Sequence, residues 1–131
     1  MKTIPLFDDD KYIWKIYALA NDNDCELLEF AEKLLASGNK DWSKMFLKLE
    51  AIASSEKGAM FFGDKFTHEI GSSKYRIFRF SQGALRISWF YGEGNKIILC
   101  AHAYIKKSNK TSRKDIEKAE GYYEAYYKKN R

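Results

Sequence analysis

Histidine, cysteine and proline are scarce in this chain: two, two and one among 131 residues. Each scarcity excludes something. Cys25 and Cys100 lie far apart inside apolar patterns, so neither a disulfide framework nor a zinc knuckle is expected. His68 and His102 have no cysteines or carboxylates at ligand spacing, which argues against a metal centre. No serine or cysteine occupies a strand–turn–helix elbow, and no glycine-rich loop opens a helix; a triad hydrolase and a phosphate loop are not indicated. No apolar run approaches the ~20 residues that cross a bilayer. In MKTIPLFDDD three aspartates arrive before any stretch long enough for a signal peptide. The expectation is one soluble, cytoplasmic domain over residues 1–131, with no cofactor and no membrane partner.

Aromatic residues are plentiful at 16%, in a chain that is 45% hydrophobic and 31% charged, and this excludes disorder. The net charge of +5 is unevenly placed. Residues 103–131 hold nine Lys or Arg against four Asp or Glu, while the first 102 residues balance. A basic C-terminal end suits a phosphate-bearing partner or an acidic protein; a solvated terminal helix is the plainer reading of the same charges.

Lys11 to Leu19 is β-branched and aromatic and reads as a strand. Asn21 to Asp24 offer turn and cap chemistry. Leu27, Leu28, Ala31, Leu34 and Leu35 then follow helical spacing from Cys25 until Gly38. Asp41 can cap a second helix with the stripe Trp42, Met45, Phe46, Leu49, Ile52 and Ala53, ending at Gly58. The period then changes to two: Tyr75–Phe80, Ala84–Tyr91 and Lys96–Lys106 read as strands joined by short Gly-bearing turns, an antiparallel meander. Ser112 to Asp115 matches a capping box opening a last helix with Ile116, Ala119, Tyr122, Tyr123, Tyr126 and Tyr127 on its apolar side. The order β-α-α-β-β-β-α predicts an α+β fold, with an N-terminal helical hairpin and a C-terminal helix against one antiparallel sheet.

Strand alternation puts Arg86 and Ser88 on one face of the sheet. On the last strand Ile97, Leu99, Ala101, Ala103 and Ile105 form an apolar face, and Ile98, Cys100, His102, Tyr104 and Lys106 stand opposite. Arg86, Ser88, His102, Tyr104 and Lys106 can therefore share a side left open by the helices. That side would hold cations, an aromatic platform and one imidazole. Each member has a plainer role: His102 as a core histidine bonded to a neighbour, Tyr104 as packing, Arg79 and Arg86 as surface arginines paired with acids. Lys65, His68 and Lys74 lie in the preceding irregular stretch. Together the cluster points to metal-free chemistry on a polyanion.

Three stretches resemble a known family: Tyr75-Arg76-Ile77-Phe78-Arg79-Phe80, Leu85-Arg86-Ile87-Ser88-Trp89-Phe90-Tyr91, and HAYIKKSNKTSRKDIEKA from His102 to Ala119. They are similar to the phage-derived RelE/HigB-like toxins of type II toxin–antitoxin systems, in the RelE/ParE superfamily. His102, Lys106, Lys107, Lys110, Thr111, Ile116, Glu117 and Ala119 match the family's last motif. Departures are Ile77 where a glutamate is usual, Ala103 for glycine and Ser112 for proline; none removes a cation.

The resemblance implies a metal-independent endoribonuclease that cuts mRNA, usually on the ribosome, by attack of the RNA's own 2′-hydroxyl on the adjacent phosphate. It implies a cognate antitoxin, of the helix-turn-helix type, as partner. Arg79 and Arg86 would grip the phosphate, His102 would transfer a proton, and Tyr104 would stack on or orient a base. Lys106, Lys107 and Lys110 would hold the RNA backbone, with Lys65, His68 and Lys74 as second-rank candidates. Two alternatives keep the fold: a ParE-like toxin that binds gyrase, and a non-enzymatic phage protein that binds RNA or a protein.

Overall fold

The computed structural model describes residues 1–8 and 10–129. Asp9, Arg131 and the Lys129 side chain, all counted in the charge pattern above, lie outside what is described. The elements run β1 (Lys2–Pro5), β2 (Lys15–Ala20), α1 (Glu26–Ala36), α2 (Asp41–Ser54), a 3-10 turn (Gly58–Met60), β3 (Thr67–Glu69), β4 (Phe78–Gln82), β5 (Leu85–Tyr91), β6 (Ile97–Ile105) and α3 (Arg113–Lys129). Six strands form one sheet in the order β1-β2-β6-β5-β4-β3.

The α+β class and the three helices agree with the sequence pattern, but two details of the sheet do not. It is mixed, because β2 lies parallel to β6, with Tyr17 opposite Leu99 and Ala18 opposite Cys100. Those partners are some 80 residues apart, and nothing local specifies the direction in which they meet. The sheet also gains β1 and β3, short edge strands that bury little; without a buried face they carry no alternating apolar signal. Pro5 fits at the end of an edge strand, where a missing N–H costs no ladder bond. The strand expected from Lys11 begins only at Lys15. Just before it, the backbone N–H groups of Ile13 and Trp14 both donate to the Ala53 carbonyl on α2.

The helix ends are also informative. Asn39 Oδ1 accepts the Asp41 N–H at 2.8 Å, so Asn39 rather than Asp41 serves the start of α2. Cys25 is the N-cap residue of α1 and makes no side-chain cap bond. Ser112 caps α3 as expected, its Oγ accepting the Asp115 N–H at 3.1 Å.

The sheet is covered on both faces. On one, Leu27 and Ala31 of α1 and Trp42, Met45, Leu49 and Ile52 of α2 pack on Ile16, Ile87, Trp89 and Cys100. Trp89 is stacked between Phe78 and Phe80 there, with ring centroids 4.6 and 4.8 Å away. On the other face, Ala119 and Tyr122 of α3 cover Leu19, Phe90, Leu99 and Ala101. Tyr123, Tyr126 and Tyr127 cluster around Phe90, and Tyr127 donates its hydroxyl to the Tyr91 carbonyl. Trp42 and the tyrosines of α3 thus serve packing. The polar sheet face expected to stand open is instead crossed by α3.

A β-bulge is the cause. Ser88 pairs with His102 and Trp89 with Cys100, leaving Ala101 as the extra residue of β6. Alternation slips by one at that point. Ile97, Leu99 and Ala101 point toward α3, while Ala103 packs on the α1/α2 side with Ile98 and Cys100. The α3-facing side of β6 is therefore apolar before the bulge and polar after it, at His102 and Tyr104. An apolar half-face needs cover, and α3 supplies it.

Candidate nucleic-acid interface

The bulge and the β4/β5 hairpin place the polar cluster. The hairpin turns on Gly83 and Ala84, and Gly83 has φ +57°, a conformation glycine adopts without strain. Pairing then sets Arg79 opposite Ser88, Ser81 opposite Arg86, and Arg86 opposite Tyr104. Arg79, Arg86, Ser88, His102 and Tyr104 therefore share one side of the sheet, beside the N-terminus of α3.

Arg86 is only 7% exposed. Its Nη1 donates to the Gly83 carbonyl at 2.8 Å and the Leu85 carbonyl at 2.9 Å. Arg79 donates from Nη1 to Thr111 Oγ1 and from Nη2 to the Asn109 carbonyl, both at 3.0 Å. Among the described residues neither arginine has a carboxylate partner, and the Nε of each is buried without an acceptor. Burial lowers the pKa of Arg86, and the neighbouring positive charge of Arg79 lowers it further; a guanidinium nevertheless keeps its proton. A buried Arg86 beside a half-buried Arg79, with no carboxylate partner among the described residues, is costly to maintain.

His102 is 2% exposed and fully engaged. Its Nδ1 lies 2.6 Å from Ser88 Oγ and its Nε2 3.3 Å from Asp115 Oδ1. A carboxylate only accepts, so Nε2 carries the proton, and the neutral ring accepts the Ser88 hydroxyl at Nδ1. Serine, histidine and aspartate are thus in series, but Ser88 is 1% exposed and no substrate reaches it. Tyr104 stacks on the imidazole with centroids 5.0 Å apart and approaches Thr111 Oγ1 through its hydroxyl, at 3.4 Å. Burial raises the Tyr104 pKa, which keeps the phenol a donor.

Burial also lowers the pKa of His102 from its ordinary 6.5, against the opposing pull of Asp115. A histidine held neutral in the fold binds a proton more readily once unfolded, so stability falls as pH drops below the unfolded value. The expected result is a urea midpoint that declines as the pH falls below about 6.5. In His102→Gln that decline is shallower. Equal slopes in the two proteins would show that His102 titrates as freely in the fold as outside it.

Lys106, Lys107 and Lys110 are exposed on the segment joining β6 to α3. They form a small cleft with Arg79, Tyr104 and Asp115. A larger neighbouring cleft, about 450 Å³, runs past Arg79, Lys110 and Thr111 to His68. His68 is exposed, on β3 rather than in a loop, and pairs opposite Arg79. Lys65 sits in the turn before β3, away from both clefts. Lys74 lines a different cavity with Arg113, Glu117, Glu120 and Glu124 of α3. Of the three second-rank residues, the fold brings only His68 to the arginines. Among the described residues no group of histidines, cysteines and carboxylates is arranged to hold a metal ion, and no helix is long and apolar enough to cross a membrane.

Residues 26–124 match the profile of the phage-derived protein Gp49-like family (DUF891), which takes in α1 through most of α3. The chain belongs to this family. No curated protein matches it. The matched segment contains the arginine pair and the residues grouped around it, among them Ser88, His102, Tyr104, the three lysines, Thr111 and Asp115.

Sequence reasoning missed three contributors. Thr111 and the Asn109 carbonyl hold Arg79, yet Thr111 stood out only as a motif match and neither residue type advertises a site. Asp115 stood out only as a cap, because contact with His102 requires α3 to cross the sheet after the bulge.

Proposed function

We infer that this Gp49-like protein is the toxin of a type II toxin–antitoxin pair and acts on mRNA as a metal-independent endoribonuclease. One observation carries the reading. Arg79 and Arg86 lie together without a carboxylate partner, each with a buried, unpaired Nε, next to a rim of Lys106, Lys107 and Lys110. Two guanidinium groups suit the crowded oxygens of a phosphate under attack, and flexible lysines suit the flanking backbone. Tyr104 presents a ring at the edge of the same cleft for a base to stack on. The cognate antitoxin would neutralise this basic rim.

The test is to incubate mRNA with the purified protein, with and without translating ribosomes, and to map new 5′ ends. Ribosome-dependent ends in the wild type support the reading. No ends, with gyrase inhibited, would favour a ParE-like toxin. One observation favours a non-enzymatic RNA binder: the His102 imidazole is enclosed, with both nitrogens occupied. RNA binding without new ends would select that alternative.

The lysine rim carries its own expectation. Replacing Lys106, Lys107 and Lys110 together with alanine should weaken RNA binding broadly, whatever the sequence. The slope of log affinity against log salt should become shallower by about 2, from ~0.7 per single-strand phosphate contact. Fluorescence anisotropy at several salt concentrations measures it, and an unchanged slope would remove these lysines from the interface.

A further inference from the structure

We propose that Asp115 is the group that takes the proton from the attacking 2′-hydroxyl, with His102 holding the carboxylate in place. The inference rests on the ribonuclease reading and supplies a base for it. Asp115 is the one acid lining the small cleft, facing Arg79 and the three lysines. Its side chain is 26% exposed, against 3% for His102, so an RNA ribose can approach the carboxylate and not the imidazole.

The carboxylate is also held in a fixed position. Oδ1 accepts from His102 Nε2, and Oδ2 accepts the Ser112 hydroxyl at 2.8 Å. His102 is steadied in turn by Ser88 beneath it and by Tyr104 and Tyr122, which lie parallel to its ring. Each carboxylate oxygen keeps a lone pair. Among the described residues its side-chain partners are the neutral His102 and Ser112; no lysine or arginine of the cleft is bonded to it. Four cations surround an acid that none of them neutralises. Such an arrangement brings a phosphodiester in and leaves the acid free to act as its base.

In the step itself the O2′–H bond breaks and Asp115 takes the proton. The 2′-oxygen bonds to phosphorus, and the P–O5′ bond breaks. The departing 5′-oxygen takes a proton from an ammonium group of Lys106, Lys107 or Lys110. The products are a 2′,3′-cyclic phosphate and a free 5′-hydroxyl, and exchange with solvent restores both protein groups. Arg79 and Arg86 neutralise the phosphorane oxygens.

Asp115 also has a structural use at the third position of α3, so the experiment pairs two variants. Asp115→Asn keeps the shape and removes the base. Tyr75→Ala removes a ring stacked on Tyr123 of α3, outside both clefts, and leaves the base untouched. Single-turnover cleavage and RNA affinity are measured for each alongside melting temperature. Asp115→Asn is expected to cut at least ~100-fold more slowly while binding RNA as tightly as the wild type or more so. Tyr75→Ala is expected to melt lower and still cut. Cleavage by Asp115→Asn within about threefold of a cutting wild type would overturn the assignment, since a missing general base costs far more. So would a loss of rate matched by loss of affinity, or shared by Tyr75→Ala. If the wild type itself leaves no cyclic phosphate end, the ribonuclease reading fails, and this assignment fails with it.

Discussion

Replacing Arg86 with alanine should abolish growth arrest and lower mRNA cleavage by ~100 to 1,000-fold, the usual loss for one fixed donor at developing charge. The protein should nonetheless stay folded. Arg86 is buried beside a like charge, so its removal relieves desolvation and repulsion while giving up its bonds to two backbone carbonyls. Arg86→Lys restores the charge but not the planar fork, and should recover only part of the activity. End mapping on translating ribosomes, with thermal melts of the same samples, checks both halves. An Arg86→Ala protein that still cuts would detach the hairpin from the chemistry. One that unfolds would show that the guanidinium is there to hold the turn.

The largest effect on stability is expected at Trp89. It is fully buried, stacked on Phe78 and Phe80, and meets Tyr91 edge-on at 5.0 Å. Truncation to alanine should cost about 3–5 kcal/mol. The melting temperature would fall by roughly 10–20 °C. The indole Nε1 is buried without a partner, so Trp89→Phe removes an unsatisfied donor along with some volume. Its cost should stay below about 1.5 kcal/mol. If Trp89→Phe proved as damaging as Trp89→Ala, indole volume rather than ring stacking would be the controlling term. Calorimetry on the two variants decides.

The residues of the site were legible in different degrees. Arg86, Ser88, His102 and Tyr104 were placed on one side by period-two alternation, and the observed pairs Arg86–Tyr104 and Ser88–His102 agree. Alternation succeeded there because all four lie on the same side of the bulge. It failed for Ile97 to Ile105 as one apolar face, because one extra residue, Ala101, inverts everything beyond it. The helical stripes of α1 and α2 and the Ser112 cap were readable because each depends on residues within a few positions of one another. Asp115 as a partner of His102 was not. Thirteen positions separate the two, and their meeting depends on where α3 crosses the sheet.

By itself the sequence determined the α+β class, three helices, the β4–β5–β6 meander and a basic C-terminal end, all set by local periodicity, turn chemistry and charge. Tertiary structure alone decided that β2 runs parallel to β6, that α3 covers the second face, and that His102 is shut in while Asp115 reaches the cleft. Those outcomes depend on pairings between distant segments, whose free energy comes from burying surface that no short window of sequence contains.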